Sequence, residues 1–317
     1  MILFYFLRWL TMKFALHFHA TRSYWRDGAP SAEWQSRIFE WTRRTGFDGI
    51  DISDSWDLRS LRVSELRDVK RRVENAGLEL ATLSCMGKTL HVPELAEANL
   101  AAILSSLDIA AELGVGLVNL SLSTPRQPGV VPVFGVPRTP GGSRVASDRD
   151  FDVTIDRLRQ VCDRASNLGI QLSVELHDRS LADTPSSLIR ILDGVARPNI
   201  GANPDLTNGY RAYDVPDDTW QQTIERLAPL TNLWHINNLQ RVHFPDVERA
   251  AFVEAPLATG DVDYRWALQV VQDAGFDGWV VIENKSSTDT FELSRLGLDY
   301  MLSLIHISEP TRRRGIS

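Results

Sequence analysis

Four residues in the second half of the chain are of types that hold a divalent cation: Glu175 in SVELHD, Asp205 in ANPDLTN, His235 in LWHINN and Glu283 in VVIENK. Each closes a short apolar run, and the gaps of 30, 30 and 48 residues are too long for a local motif and fit one ligand per structural unit. Three carboxylates with one imidazole form an oxygen-rich set. Such a set suits one Mn, Mg or Co ion better than a structural zinc site, which would call on thiolates, although Zn remains compatible. Octahedral positions would be left for two substrate oxygens. The ion would polarise a carbonyl and acidify the neighbouring C–H. Glu175 and Glu283 are then the catalytic pair, base and acid on two faces of an enediolate-like intermediate. One base gives an isomerase, and two permit epimerisation. Any one of the four alone serves equally well as a helix cap or ion pair, so it is the set that carries the chemistry.

Groups so far apart in sequence need a repeating scaffold to bring them together. The chain repeats an amphipathic helix, a Gly or Pro-Asn break and a short apolar strand with a polar end. The strand candidates are KFALHFHA, DGIDIS, ELATLSC, GLVNLSLS, IQLSVELH, IGANPD, LWHINN and GWVVIEN, eight in all. GFDGIDIS at residues 46–53 recurs as GFDGWVVIE at 275–283, which marks the second and eighth units as versions of one device. Eight alternating units predict an α/β fold of a single (β/α)8 TIM barrel, with function gathered at the C-terminal strand ends. An open doubly wound sheet is the alternative, but no strand is followed by a phosphate-binding glycine motif.

The same strand-end rule selects further candidates. His177 shares the strand face of Glu175 and is placed to orient a ligand or substrate, or to serve as a hydrogen-bonded structural His. His17 and His19 alternate with Phe14, Leu16 and Phe18, and His19 is the better placed for substrate contact. Arg179 could hold an anion or start a helix as an ion pair. Trp25, Arg26 and Trp56, in the loops after the first two strands, could wall one side of a sugar. Lys88 and Cys85 have no activating partner in the sequence, and His91 and His243 lack ligand-like spacing. The Pro- and Gly-rich stretch 124–150, with Arg126, Arg138 and Arg144, is expected to form a lid anchored by Val130, Val131, Val133, Phe134 and Val136.

Composition bounds the partners. With 34 Lys and Arg against 41 Asp and Glu, the net charge of -7 argues against nucleic-acid binding through a broad basic face. Two cysteines supply no disulfide framework, so a reducing, cytoplasmic setting and a small-molecule substrate are expected. Residues 1–12, an apolar run broken by Arg8, are too short to span a bilayer and are expected to be an extension ahead of the domain; no membrane partner is implied. Residues 302–312, LSLIHISEPTR, resemble the translation of a transposon-type sequencing adaptor, so 302–317 are expected to be a non-native tail and 13–301 the catalytic domain. A homo-oligomer is compatible with barrel surfaces.

Strand-end Glu, Asp, His and Glu in this order make residues 13–301 resemble the xylose isomerase-like barrel superfamily, specifically its sugar phosphate isomerase/epimerase group. That group includes tagatose-type 3-epimerases, hydroxypyruvate isomerases and inosose dehydratases. The resemblance implies one divalent metal on Glu175, Asp205, His235 and Glu283, and a substrate that is a small sugar, sugar phosphate or keto-polyol. Arg241, six residues after His235, matches the substrate-contacting Arg of the 3-epimerases, and ATGDVDY from Ala258 matches the turn before the last helix. Three positions depart. Asn208 stands where the epimerases place a substrate-binding His, and Asn237 and Asn238 replace the Lys and Asp of the relatives' HVKD. The resemblance therefore leaves open an inosose-type dehydratase, or a barrel that binds sugar without turning it over. The endonuclease branch of the superfamily needs additional His ligands, which SCMGK and NLSLS do not supply.

Overall fold

Side-chain caps fix where the helices begin, and left-handed residues fix where several of them stop. In the computed structural model, which describes residues 12–20, 30–124, 141–211, 216–284 and 289–307, helix α1 (Ala32–Thr45) starts with the Ser31 hydroxyl accepting from the Trp34 N–H and stops at Gly46, at φ 106°. Ser147 and Thr219 cap α4 (Asp148–Asn167) and α6 (Trp220–Leu227) in the same way, each with a reciprocal bond from the residue three positions on. The remaining helices are α2 (Val63–Asn75), α3 (Pro93–Leu113), α5 (Pro185–Val195), α7 (Tyr264–Asp273) and α8 (Thr290–Ile307). Gly275 repeats Gly46: its φ is 88°, and the Phe after each, Phe47 and Phe276, is buried. The GFDG repeat is thus a helix stop followed by a buried anchor that starts the next strand.

Eight parallel strands form a nearly closed barrel: β1 (Lys13–Leu16), β2 (Gly49–Ser53), β3 (Glu79–Cys85), β4 (Leu117–Leu120), β5 (Gln171–Glu175), β6 (Ile200–Asn203), β7 (Leu233–Ile236) and β10 (Trp279–Ile282). The order runs from β6 through β5, β4, β3, β2, β1 and β10 to β7. At the β6/β7 seam the ladder shrinks to one bridge, Ala202 to Thr231. A side chain completes it: the Asn203 Oδ1 accepts the His235 backbone N–H at 2.7 Å. The chain departs from the expected eight-strand pattern in one place. After β7 it turns at Asn237 into an antiparallel hairpin, β8 (Asn238–Phe244) and β9 (Arg249–Ala255), so LWHINN is the end of one strand and the start of another. β1 is also shorter than KFALHFHA, because residues 18–20 form a 3-10 turn.

Period-two alternation sorts the strand residues into two environments. One set, including Phe14, Leu16, Val118, Leu120, Val174, Trp234, Ile236, Val280 and Ile282, packs within the large apolar cluster that includes the helices. The other set starts with a small apolar layer of Ala15, Ala81, Leu117, Leu233 and Val281. Two residues further along those same strands come His17, Asn119, His235 and Glu283, and on β5 Glu175 follows Ser173; all six are buried. The interior therefore changes from oil to polar groups along the barrel axis. Helix α8 continues through residues 302–307, with Leu298, Met301 and Leu304 buried. No helix among the described residues is long and apolar enough to cross a membrane. Trp25, Arg26, Arg126, Arg138 and the apolar residues of the expected lid lie outside the described residues, as do residues 1–11 and 308–317.

Asn203→Leu removes the acceptor that closes the β6/β7 seam and strands a buried N–H. The substitution is expected to cost about 1–3 kcal/mol in chemical denaturation, with a lowered midpoint and an unchanged slope; wild-type stability would show that the seam does not depend on this side chain.

Candidate metal centre

Glu175 is the last residue of β5, and Asp205 lies two residues beyond β6, its backbone N–H bonded to the Asn203 carbonyl at 3.0 Å. His235 lies within β7, and Glu283 follows β10 with its N–H on the Ile236 carbonyl at 2.9 Å. All four are at most 1% exposed. Ligand atoms of Glu175, Asp205 and Glu283 lie within 4.8 Å of one another, and so do those of His17, His235 and Glu283. The barrel thus gathers the predicted residues into two groupings that share Glu283, one with the carboxylates Glu175 and Asp205 and one with the imidazoles of His17 and His235.

Side-chain amides reach all three carboxylates, and Asp205 and Glu283 have other partners besides. Glu175 accepts from two neutral amides, Asn119 Nδ2 on Oε2 at 3.1 Å and Asn208 Nδ2 on Oε1 at 3.0 Å. Asp205 Oδ1 accepts from the Thr207 N–H and hydroxyl, at 3.1 and 3.0 Å. Asn237 reaches two carboxylates at once, donating to Asp205 Oδ2 at 2.8 Å and to Glu283 Oε2 at 3.3 Å. The Tyr264 hydroxyl donates to the Asn237 carbonyl at 2.6 Å, and the Thr207 hydroxyl donates to its side-chain oxygen. Glu283 Oε1 faces imidazoles, His19 Nδ1 at 2.8 Å and His17 Nδ1 at 3.6 Å. Asn203 Nδ2, on the seam residue, donates to Asn119 Oδ1 at 3.3 Å, linking barrel closure to Glu175.

A fourth carboxylate, Asp51, projects from β2 to within 3.3 Å of His17 Nε2 and accepts from the Ser84 hydroxyl at 3.1 Å. Burial pushes its carboxyl well above the usual range; Ser84 opposes the rise, and Glu283 and Glu175 add to it. A buried cation, Arg211, lies in the turn after β6 and is 7% exposed. Burial works against its charge, but Asp205, Glu283, Asp178 and Glu254 outweigh that and keep the guanidinium protonated. Cys85 and Cys162 are unsuited as nucleophiles, because burial pushes both thiols up to about 12.

The other predicted residues divide. His19 and Asn208 touch the carboxylates directly, as described. His177 faces its neighbour, Nδ1 lying 2.8 Å from the Asp178 carbonyl and 3.1 Å from its carboxylate. Burial would raise the Asp178 carboxyl, but His177 and then Arg179 hold it far below the usual range. Arg179 has the left-handed backbone (φ 57°) and is bound to Thr124, with Nη1 on the Thr124 carbonyl at 3.1 Å and its own carbonyl accepting the Thr124 N–H at 2.7 Å. Its contacts are those of a loop brace. Arg241 lies in β8, its backbone N–H on Asp261 at 2.9 Å. Trp56 does not wall a sugar site; it is 1% exposed within the apolar core. Lys88 does have a partner, Asp54 at 2.6 Å.

Asp51, Asn119, Asn203 and Arg211 escaped the sequence reading, which met Asn237 only as the loss of a lysine. For the first three the available signal was a polar residue at an inward position of an otherwise apolar strand, Asp51 in GIDIS, Asn119 in LVNL and Asn203 in IGAN. Asn238, which also departs from HVKD, ties the hairpin to its return, donating to the Leu257 and Val262 carbonyls at 2.9 and 2.8 Å while its oxygen accepts the Val262 N–H at 3.1 Å. An Asp there could not donate.

Part of the chain is 26% identical to the 3-dehydroshikimate dehydratase of Bacillus anthracis, over 42% of this chain and 49% of that one. Another alignment, 29% identical, joins 41% of the chain to 40% of the ketose 3-epimerase of Arthrobacter globiformis. The chain thus spans about half or less of the length of these two relatives. A crystal structure of a xylose isomerase-like TIM barrel protein from Mycobacterium smegmatis in complex with magnesium superposes with a TM-score of 0.78 at 23% identity, covering 94% of this chain and 97% of that one. The description of the xylose isomerase-like TIM barrel family matches residues 39–304, and the chain belongs to that family.

Proposed function

We propose that the protein is a divalent-metal-dependent isomerase or epimerase of a small sugar, sugar phosphate or keto-polyol, acting through an enediolate-like intermediate. The observation that carries this reading is the buried convergence of Glu175, Asp205 and Glu283, with His235 grouped to the same Glu283. The donor set fits one hard or borderline ion, Mn, Mg or Co, and a relative of this fold is known with magnesium. Held by Glu175, Asp205, His235 and Glu283, the ion would polarise a carbonyl and acidify the adjacent C–H.

The side chains of this protein divide the remaining work. Glu175, fixed by Asn119 and Asn208, is a carboxylate held in one orientation by neutral donors, as a base needs. Glu283 shares a hydrogen bond with His19, whose side chain is 15% exposed and so joins the buried carboxylate to the barrel mouth. A proton taken by one carboxylate can be returned to the same or a neighbouring carbon by the other. Asn208 takes part by orienting Glu175, while His177, Arg241, Arg179 and Trp25 are the further candidates for substrate contact.

A lyase reading is supported by the similarity to the 3-dehydroshikimate dehydratase. In it the same proton abstraction is followed by loss of a hydroxyl as water, giving a conjugated carbonyl. Incubation with ketoses, keto-polyols and hydroxypyruvate in deuterated buffer separates the readings: an isomerase or epimerase incorporates deuterium next to a carbonyl, and a dehydratase also develops new ultraviolet absorbance.

Glu283→Gln is expected to lower kcat by about 10²–10⁴ while the circular dichroism spectrum stays that of wild type; retained turnover would remove Glu283 from the reaction. His235→Ala is expected to reduce bound Mn from about one ion per chain to a small fraction after dialysis, measured by elemental mass spectrometry. Undiminished Mn would place the ion elsewhere.

A further inference from the structure

Arg211 is a buried cation with little to hold it. Its Nη2 donates to Asn237 Oδ1 over a long 3.4 Å, its guanidinium lies 5.7 Å from the Phe252 ring centroid, and its Nε meets no acceptor among the described residues. An ordinary buried arginine would be locked in a bidentate pair with one carboxylate. Asp178, one of the acids whose charge reaches Arg211, is engaged by Arg179 and His177. What surrounds Arg211 instead is a field set by Asp205, Glu283, Asp178 and Glu254. Asn237 stands between it and the first two. The amide turns its oxygen to Arg211 and its N–H groups to Asp205 and Glu283, so its dipole passes positive potential from the cation to both carboxylates.

We propose that Arg211 is the resident counter-cation of the carboxylate pocket: it lets the metal-free barrel keep Asp205 and Glu283 together, and it sets how tightly the pocket holds a divalent ion. The inference rests on the metal-centre reading above. Arg211 is a positioning residue that acts through Asn237 and through space, not a group that touches substrate. The sign of its effect follows from the charges. A guanidinium and a divalent cation are drawn to the same carboxylates and repel each other, so removing the guanidinium leaves an emptier, more negative pocket that favours the ion. The cost falls on the metal-free protein, where the carboxylates then face one another without compensation. A mere structural brace has the opposite sign, because loosening Asn237 would disorder two ligands and weaken binding.

The test is calorimetric titration of the metal-free protein with MnCl2, together with its melting temperature, for wild type, Arg211→Met, Arg211→Gln and Arg211→Lys. Gln removes the charge while retaining an amide donor on a shorter side chain. Both neutral variants are expected to bind Mn about tenfold more tightly, ~1.4 kcal/mol, and to melt lower than wild type without Mn but not with it. Lys is expected to resemble wild type. Should Met fail to fold, Gln decides. Unchanged or weaker Mn binding in Gln overturns the proposal while leaving the metal centre standing; a wild-type protein that takes up no Mn overturns the metal centre and this inference together.

Discussion

Three buried carboxylates share the interior of one barrel with a fourth acid, Asp51, whose carboxyl burial pushes well above the usual range, and repulsion among such groups in a medium of low polarisability is the condition that the surrounding structure answers. Asp51, Glu175, Asp205 and Glu283 are each at most 1% exposed. At an effective dielectric constant near 20, two unit charges 4 Å apart repel by about 4 kcal/mol, so such a group persists only where donors and cations are supplied. The barrel supplies them by kind: amides to Glu175, a hydroxyl and a backbone N–H to Asp205, imidazoles to Glu283, and a serine to Asp51. In the proposed function, a divalent ion is the remaining contribution that these groups would accept.

The scaffold meets this demand through two periodicities. Along each strand, alternation sends one set of side chains to the helices and the other to the axis, and along the axis the inward set changes from Ala15, Leu117, Leu233 and Val281 to His17, Asn119, His235 and Glu283. An apolar layer beneath the polar one excludes water from below and keeps the charges interacting strongly. Around the barrel, Asn203 joins the two tasks, since its oxygen closes the seam to β7 and its amide nitrogen steadies Asn119 behind Glu175.

Much of this was legible in the sequence, and the rest was hidden for identifiable reasons. Glu175, Asp205, His235 and Glu283 could be found because each is a ligand type at the polar end of an apolar strand, and the eight-fold repeat could be found because GFDG marks the same helix stop twice. The hairpin was missed because residues 239–255 were assigned to no strand, although NLQRVHF and RAAFVEA flank a Pro-Asp turn. Asn237 looked like the loss of a lysine, since a sequence shows which charge is absent but not which neighbour replaces it. That neighbour, Arg211, comes from the preceding unit 26 residues earlier and meets Asn237 only when β6 and β7 lie side by side. Trp56 was misjudged because a loop position is not a surface position.

The account turns on whether one ion joins the three carboxylates to His235, which the structure places nearer His17 than Asp205 in its ligand grouping. Anomalous diffraction at the manganese edge from crystals grown with MnCl2 tests this directly. A single peak within about 2.0–2.6 Å of Glu175, Asp205, His235 and Glu283 is the predicted result. A peak bound elsewhere, one that excludes His235, or none at all in a well-ordered barrel would contradict it.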